Sequence, residues 1–331
     1  MFLIYIKQIL KDYKKVTATF LEILGFFSLI YGILDVFLPK QLQKVEFDYK
    51  GLLLLLAVSL ICSVIKNWPK LQRKFTIKNR DINITIVVGD IFRQVGAKVI
   101  PTNTTFDTCM EDEFISVHSI QGQFQEKYFK KNLSTLDTMI KESLKENTII
   151  KLLDDGRKTK VERYACGTVS KINCMDKRFY LLSLADVNKN GTPQAKYENI
   201  IIALQGLWDF LAENRHVENL VIPIIGTGRA GIAEATRTQV IKDTILSFVA
   251  VSSEVKITNN LILCIHPNDL KNNKIDIDEI FEYVEYTSKY KYEQIDKKIN
   301  GKPLEWLWRY FNKVSFLVWF NKKKERIDIW I

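Results

Sequence analysis

The sequence predicts an α/β fold built on a central sheet and preceded by a two-helix transmembrane hairpin. Three observations carry this. Two apolar runs, each closed by a proline, occupy the first 70 residues. Short β-branched runs then alternate with helical stretches from residue 81 onward. Two of those β-branched runs end in glycine-bearing turns. A chain of 331 residues, 47% of them apolar, is large enough for one sizeable core or two units.

The first apolar run is Val16 to Leu38, closed by Pro39. As a helix it is long enough to cross a hydrocarbon core of ~30 Å. The second, Gly51 to Trp68, is shorter, denser in leucine and closed by Pro69. A cleaved signal peptide is the competing reading of the first run. It fits poorly, because the run starts late, carries Glu22 and Asp35, and is followed by another. A pair of buried core helices is the other alternative. Lys7, Lys11, Lys14 and Lys15 precede the first run, and six basic residues from Lys66 to Arg80 follow the second without an acid among them. The connecting loop mixes Lys40, Lys44 and Lys50 with Glu46 and Asp48. The positive-inside rule then puts both termini in the cytoplasm and the loop outside. Glu22 and Asp35 are costly in lipid, so they either reach the headgroups or face other subunits or water.

The net charge of +10 invites a nucleic-acid reading, but its distribution opposes one. Residues 1 to 80 hold 13 Lys or Arg against five acids, a net of +8, which leaves +2 for the other 251 residues. No nucleic-acid partner is expected. Five widely spaced cysteines suit reduced, mostly buried thiols. None of the three histidines has another at ligand spacing, so no metal site is expected.

Beyond residue 81, strands are predicted at Ile82 to Val88, Ala97 to Pro101, Arg163 to Val169, Arg178 to Ala185, Asn219 to Ile225 and Asn260 to His266. Helices are predicted at Thr135 to Glu146, Tyr197 to Asn214 and Ala233 to Val251, with a charged helix over Ile275 to Ile299. Leu304 to Ile331 sets four tryptophans among lysines. It reads either as a terminal helix or hairpin covering the domain, or as an interfacial segment.

Three loops carry candidate chemistry. Pro223 to Ile232 (PIIGTGRAGI) lies between a buried strand and a helix. Its glycines let the backbone approach a ligand, and the helix start favours phosphate. It is neither a Walker loop nor GxGxxG, and on its own a plain tight turn explains it as well. Gly89-Asp90-Ile91 follows the first strand. An aspartate there either accepts from an exocyclic amine such as that of adenine or caps a turn. Pro101 to Asp107 (PTNTTFD) ends the next strand with small polar residues, of the kind that line clefts in α/β folds.

In order and spacing, VVGDI, VIPTNTTFDT and PIIGTGRAGI resemble the macro domain family over about residues 82 to 270. The resemblance implies a macro-type three-layer sandwich with a central mixed sheet. Together with the two apolar runs, it divides the chain into an anchor (residues 1–80, spans at about 16–38 and 51–68), a nucleotide-binding domain (81–270) and a C-terminal helical, Trp-rich extension (271–331). It implies ADP-ribose or an ADP-ribose conjugate as ligand, with no separate cofactor. Asp90 would hold the adenine amine and the Ile91 backbone a ring nitrogen. Gly226, Thr227, Gly228, Arg229, Ala230 and Gly231 would wrap the diphosphate and inner ribose. Asn103, Thr104 and Asp107 would face the distal ribose, and His266 and Asn268 would lie beside adenine. Hydrolytic members carry N-A-A-N and a glycine-rich catalytic stretch with an acid. This chain has PTNTT, then FDTCMEDEF and SIQGQ. That departure favours binding over turnover, with a membrane-tethered ADP-ribosyl hydrolase as the alternative.

A two-helix anchor joined to such a domain, with the segment SIQGQF, is similar to the effector subunits of type II Thoeris anti-phage systems. The resemblance implies an effector in the bacterial inner membrane. Its signal would be an ADP-ribose-type nucleotide that a TIR-domain enzyme makes from NAD. Homo-oligomers acting on the lipid bilayer would follow. Arg229 would read an extra negative group or rearrange at a subunit contact.

Overall fold

The computed structural model describes residues 2–37, 49–78, 80–110, 114–130, 132–153, 159–188, 192–214, 216, 218–226, 235–272 and 274–291. Thr227 to Gly231 of the glycine loop and the Trp-rich segment from Leu304 lie outside them. The chain divides into two compact units, residues 1–71 and 72 onward.

In the first unit, α1 (Phe2–Lys11), α2 (Tyr13–Phe37) and α3 (Tyr49–Lys66) are helical. α2 and α3 correspond to the two predicted spans, and each is long and apolar enough to cross a membrane. They pack together through small polar residues: the Ser63 hydroxyl donates to the Val16 carbonyl at 2.6 Å, and Thr19 and Ser59 are buried. Outward positions such as Leu29, Leu53 and Leu54 are exposed, unlike the helices of a soluble core. Glu22 lies 3.5 Å from the ammonium of Lys66, so its charge has an opposite neighbour on the facing helix. α1 was not anticipated, since the sequence reading assigns its residues only a basic flank. It is amphipathic, with Ile4 buried and the Tyr5 ring stacked on Trp68 at a centroid distance of 5.2 Å.

The second unit is built on a mixed sheet. Its strands are β1 (Gln72–Thr76), β2 (Asn83–Val88), β3 (Ala97–Asn103), β6 (Val169–Cys174), β7 (Lys177–Val187), β8 (Pro193–Gln194), β9 (Leu220–Pro223) and β10 (Asn260–Ile265). The order is β1-β2-β10-β9-β3-β7-β6, with β8 also on β7. From β2 to β7 all neighbours are parallel, and β1, β6 and β8 are antiparallel additions. The parallel strands are buried on both faces, as their near-continuous Val, Ile and Leu content requires. A small hairpin sheet pairs β4 (Lys151–Leu152) with β5 (Glu162–Arg163).

Alternation along the strands sorts the core into two layers. Ile100, Phe179, Leu181 and Val221 face α4 (Ile120–Phe129) and α5 (Leu133–Ser143), where Phe124, Leu136 and Ile140 meet them. Tyr180, Leu182, Ile222 and Leu263 face the other layer, formed by α6 (Tyr197–Glu213), α7 (Arg237–Ser252) and α9 (Ile277–Tyr286). The Trp208 indole N–H donates to the Ser247 hydroxyl at 3.0 Å and ties α6 to α7. Short α8 (Pro267–Lys271) follows β10.

Two findings depart from the expected elements. β1 lies inside the segment read as the anchor's basic flank. Its sequence, QRKFT, turns only Phe75 into the core, where Arg73 stacks over Phe75 and Phe281 and pairs with Glu285 at 2.7 Å. The strand predicted at Arg163 to Val169 is instead a turn between β5 and β6. Gly167 adopts φ +90°, and the Ser183 hydroxyl donates to the Ala165 carbonyl at 2.7 Å, which folds the segment over the end of β7.

That turn packs directly on α6. A Cβ at Gly206 would lie 2.3 Å from the Gly167 carbonyl oxygen. The contact is backbone against backbone, so no side chain can move to relieve it. Gly206→Ala is expected to lower unfolding stability by about 2–3 kcal/mol, read as a drop in the denaturation midpoint.

Candidate functional site

Parallel strands release their C-terminal ends on one side of a sheet, and ligands bind in the crevice there. In this protein that edge opens into a cavity of about 590 Å³, a size usual for small-molecule sites. Gly89, Asp90 and Ile91 line it after β2, Thr102 and Asn103 at the end of β3, and Ala185 in β7. Pro223, Ile224 and Gly226 line it from β9, and Cys264 and His266 from β10.

The structure therefore brings Asp90, Ile91, Asn103, Gly226 and His266 together around one cavity. Thr104, Asp107 and Asn268 are not among its lining residues. Thr104 is buried and donates to the Asp186 carboxylate, which also pairs with Arg163. Asp107 is buried behind Asn103. Asn268 is exposed, and its backbone N–H donates to the His266 ring nitrogen at 3.3 Å.

Asp90 sits at extended φ and ψ, as an N-cap residue does. One carboxylate oxygen accepts from the Phe92 N–H at 2.8 Å and starts the single 3-10 turn Ile91–Arg93. The other lies 3.7 Å from the Arg93 guanidinium. Gly89 is held by its N–H to the Ile265 carbonyl at 2.9 Å, which fixes the β2 end against β10.

Sequence reasoning missed the wall formed by Phe114 to Gln123 and the pair Arg237–Asp269. Ser119 caps α4, accepting from the Gly122 N–H at 2.9 Å and donating to the Ser116 carbonyl at 2.7 Å. A Cβ at Gly122 would lie 2.1 Å from that carbonyl oxygen, so SIQGQ permits a turn that doubles back onto its own helix. The signal was present: a serine three residues before a glycine at the start of a helical stretch. Arg237, in the first turn of α7, pairs with Asp269 at 2.8 Å, and both line the cavity. Nothing in the sequence announces that pairing, because the partners come from elements 32 residues apart.

The cavity thus offers the Asp90 carboxylate after β2 and the Asn103 amide at the end of β3, with Gly226 after β9 and the apolar Leu184 and Ile224 among its lining. Its thiol is not an acid or nucleophile at neutral pH. Burial, reinforced by the nearby Asp90 charge, pushes Cys264 up to about 12. Among the described residues, no group of three His, Cys, Asp or Glu could hold a metal ion.

The family described as Thoeris protein ThsA, Macro domain, matches residues 84–266. The chain belongs to this family. The match runs from β2 to the end of β10 and takes in the cavity's lining residues except Pro267 and Asp269 in α8. A curated relative, Thoeris protein ThsA of Bacillus amyloliquefaciens (strain Y2), is 25% identical over 181 residues, or 54% of this chain and 60% of its own. The chain thus matches less than two thirds of that relative's length. Two solved macrodomain mutants from Oceanobacillus iheyensis are each 12% identical. One, with ADPR, has a TM-score of 0.41 over 64% of this chain and 99% of its own. The other has a TM-score of 0.42 over 71% and 98%.

Cys166, like Cys264, is raised by burial, to about 11. Thiols react as thiolates. Both are expected to resist iodoacetamide at pH 8 in the folded protein and to react on unfolding, as read by peptide mass spectrometry.

Proposed function

We propose that this protein is a membrane-anchored anti-phage defence effector whose macro domain binds an ADP-ribose-derived signal. The observation that carries the reading is the spacing of the cavity's polar groups. Asp90 follows β2 and Asn103 ends β3, with β10 and β9 between them. Three strand spacings put them about 14 Å apart. Gly226, after β9, lies between. An extended nucleotide diphosphate with a second sugar has the length and the order of groups for such a site: amine, diphosphate, then ribose hydroxyls.

In this reading the Asp90 oxygen not used on Phe92 accepts from the adenine amine, and the Ile91 N–H meets a ring nitrogen. Residues 226–231 carry the diphosphate and inner ribose, with Arg229 reading an added negative group. Asn103 meets the distal ribose. Thr104 and Asp107 support it from behind, and His266 and Asn268 flank adenine. No further cofactor is needed. The domain acts as a sensor rather than an enzyme. A TIR-domain partner makes the signal from NAD, and the two proteins communicate through it alone.

Binding shifts an equilibrium only by favouring one state. Here the bound state favours a homo-oligomer that gathers the α2–α3 hairpins and disrupts the bilayer. The protein is placed in the bacterial inner membrane as a two-span anchor with both termini cytoplasmic. Because β1 joins the sheet, we set the start of the macro unit at Gln72 rather than at residue 81, with the extension beginning after residue 270.

Three measurements test this. Calorimetry of the full-length protein in detergent is expected to detect ADP-ribose binding, weakened about 10- to 100-fold in Asp90→Ala, the range for a lost charge-assisted hydrogen bond. No binding at millimolar ligand, or unchanged affinity in the variant, rejects the site. Turnover of ADP-ribosylated substrate that vanishes in Asn103→Ala rejects the sensor-only reading. Externally added protease on intact spheroplasts is expected to spare the macro unit and to cleave it only after lysis; cleavage before lysis rejects the orientation.

A further inference from the structure

The loop after β3 is organised around one buried carboxylate. Phe106 adopts a left-handed φ of +49°, unusual for a bulky residue, with its ring buried against Tyr164. That conformation turns the chain back so that Asp107 faces Asn103. The Asn103 amide N–H donates to one Asp107 oxygen at 3.3 Å. Its carbonyl oxygen accepts from the Asp107 backbone N–H at 3.0 Å and lies 3.1 Å from the Thr105 hydroxyl, which also touches the carboxylate. The other Asp107 oxygen accepts from the Lys160 backbone N–H at 2.8 Å, and the Asp107 carbonyl accepts from the Gln121 side chain at 2.6 Å.

This arrangement fixes which way the Asn103 amide points. A flipped amide would set its oxygen against a carboxylate, so the nitrogen must face Asp107. The Asn103 oxygen is then enclosed by Asp107 and Thr105, neither of which lines the cavity. A primary amide has two N–H donors. One is spent on Asp107, and Asn103 itself lines the cavity.

We infer that Asp107 is a positioning residue that locks Asn103 as a hydrogen-bond donor, so that the cavity at this end selects an oxygen acceptor, such as a sugar hydroxyl, and discriminates against a cationic group. The inference rests on the reading of the cavity as an ADP-ribose site. Its contribution is to the distal end alone, because the Asp90 end belongs to a different loop.

The test compares ADP-ribose with ADP, which lacks the distal ribose, by calorimetry on the full-length protein in detergent. Asn103→Ala and Asp107→Ala are each expected to weaken ADP-ribose by about tenfold or more and ADP by less than about twofold. In the Asn103→Ala background, Asp107→Ala is expected to add nothing, since it acts only through that amide. Thr105→Val, which keeps the volume and removes one hydroxyl of the lock, should show a smaller loss confined to ADP-ribose; it decides the question if Asp107→Ala does not fold. An analogue with an ammonium in place of a distal hydroxyl is expected to bind more weakly than ADP-ribose. Equal losses for both nucleotides, additive losses in the double variant, unchanged binding in the Thr105 variant, or tighter binding of the ammonium analogue would each overturn the positioning role. If the unmodified protein binds neither nucleotide, the ADP-ribose reading itself falls and this one with it.

Discussion

Everything about the cavity depends on strand polarity. Five neighbouring strands run parallel, so β2, β10, β9, β3 and β7 all finish at the same edge. Each parallel connection must cross a face of the sheet, which is why helices cover both faces and why the strands are mostly apolar. The loops at the finishing edge anchor themselves in the core through Ile91, Phe92 and Phe106 and turn their other residues to the crevice. They collect the acid, amide and glycine positions that would be costly anywhere deeper.

Polar groups near that edge are tied off in pairs rather than left open. Arg237 pairs with Asp269 at the cavity, and Arg163 with Asp186 and Lys160 with Asp137 pair near the loop that follows β3. Partly buried pairs of this kind contribute little net stability, since desolvation offsets much of the attraction. Their effect is geometric: they tie one element to another. The short polar residues of PTNTTFD serve the same end, with Asn103, Thr105 and Asp107 bonded to one another and Thr104 to Asp186.

Much of the domain was legible in the sequence because its signals are local. NITIVV, NLVIP and NLILCI are buried β-branched runs, and YENIIIALQGLWDFLAE has an apolar stripe at helical spacing. Gly89-Asp90-Ile91 and Asn103 could be placed at the cavity because strand ends mark that edge. What escaped were features set by partners distant in sequence. QRKFT buries one residue, too few for a periodicity, and becomes a strand only because β2 offers it an edge. Arg163 to Val169 has strand-like composition, but the backbone of α6 and the end of β7 fold it into a turn. Thr104 and Asp107 looked like ligand groups from their type; only the left-handed Phe106 reveals that they face inward.

The edge strand β1 has a consequence for association between molecules. A parallel sheet ending at β2 would present a row of unsatisfied amides, an open invitation to another chain's strand. β1 closes that row with exposed Gln72, Arg73 and Lys74. A second molecule approaching this border meets positive charge and side chains already committed to Glu285 and two phenyl rings. Continuation of the sheet from one copy into the next is thereby discouraged at this border. A sheet that grew from copy to copy there would be an open ribbon with no geometry at which to stop.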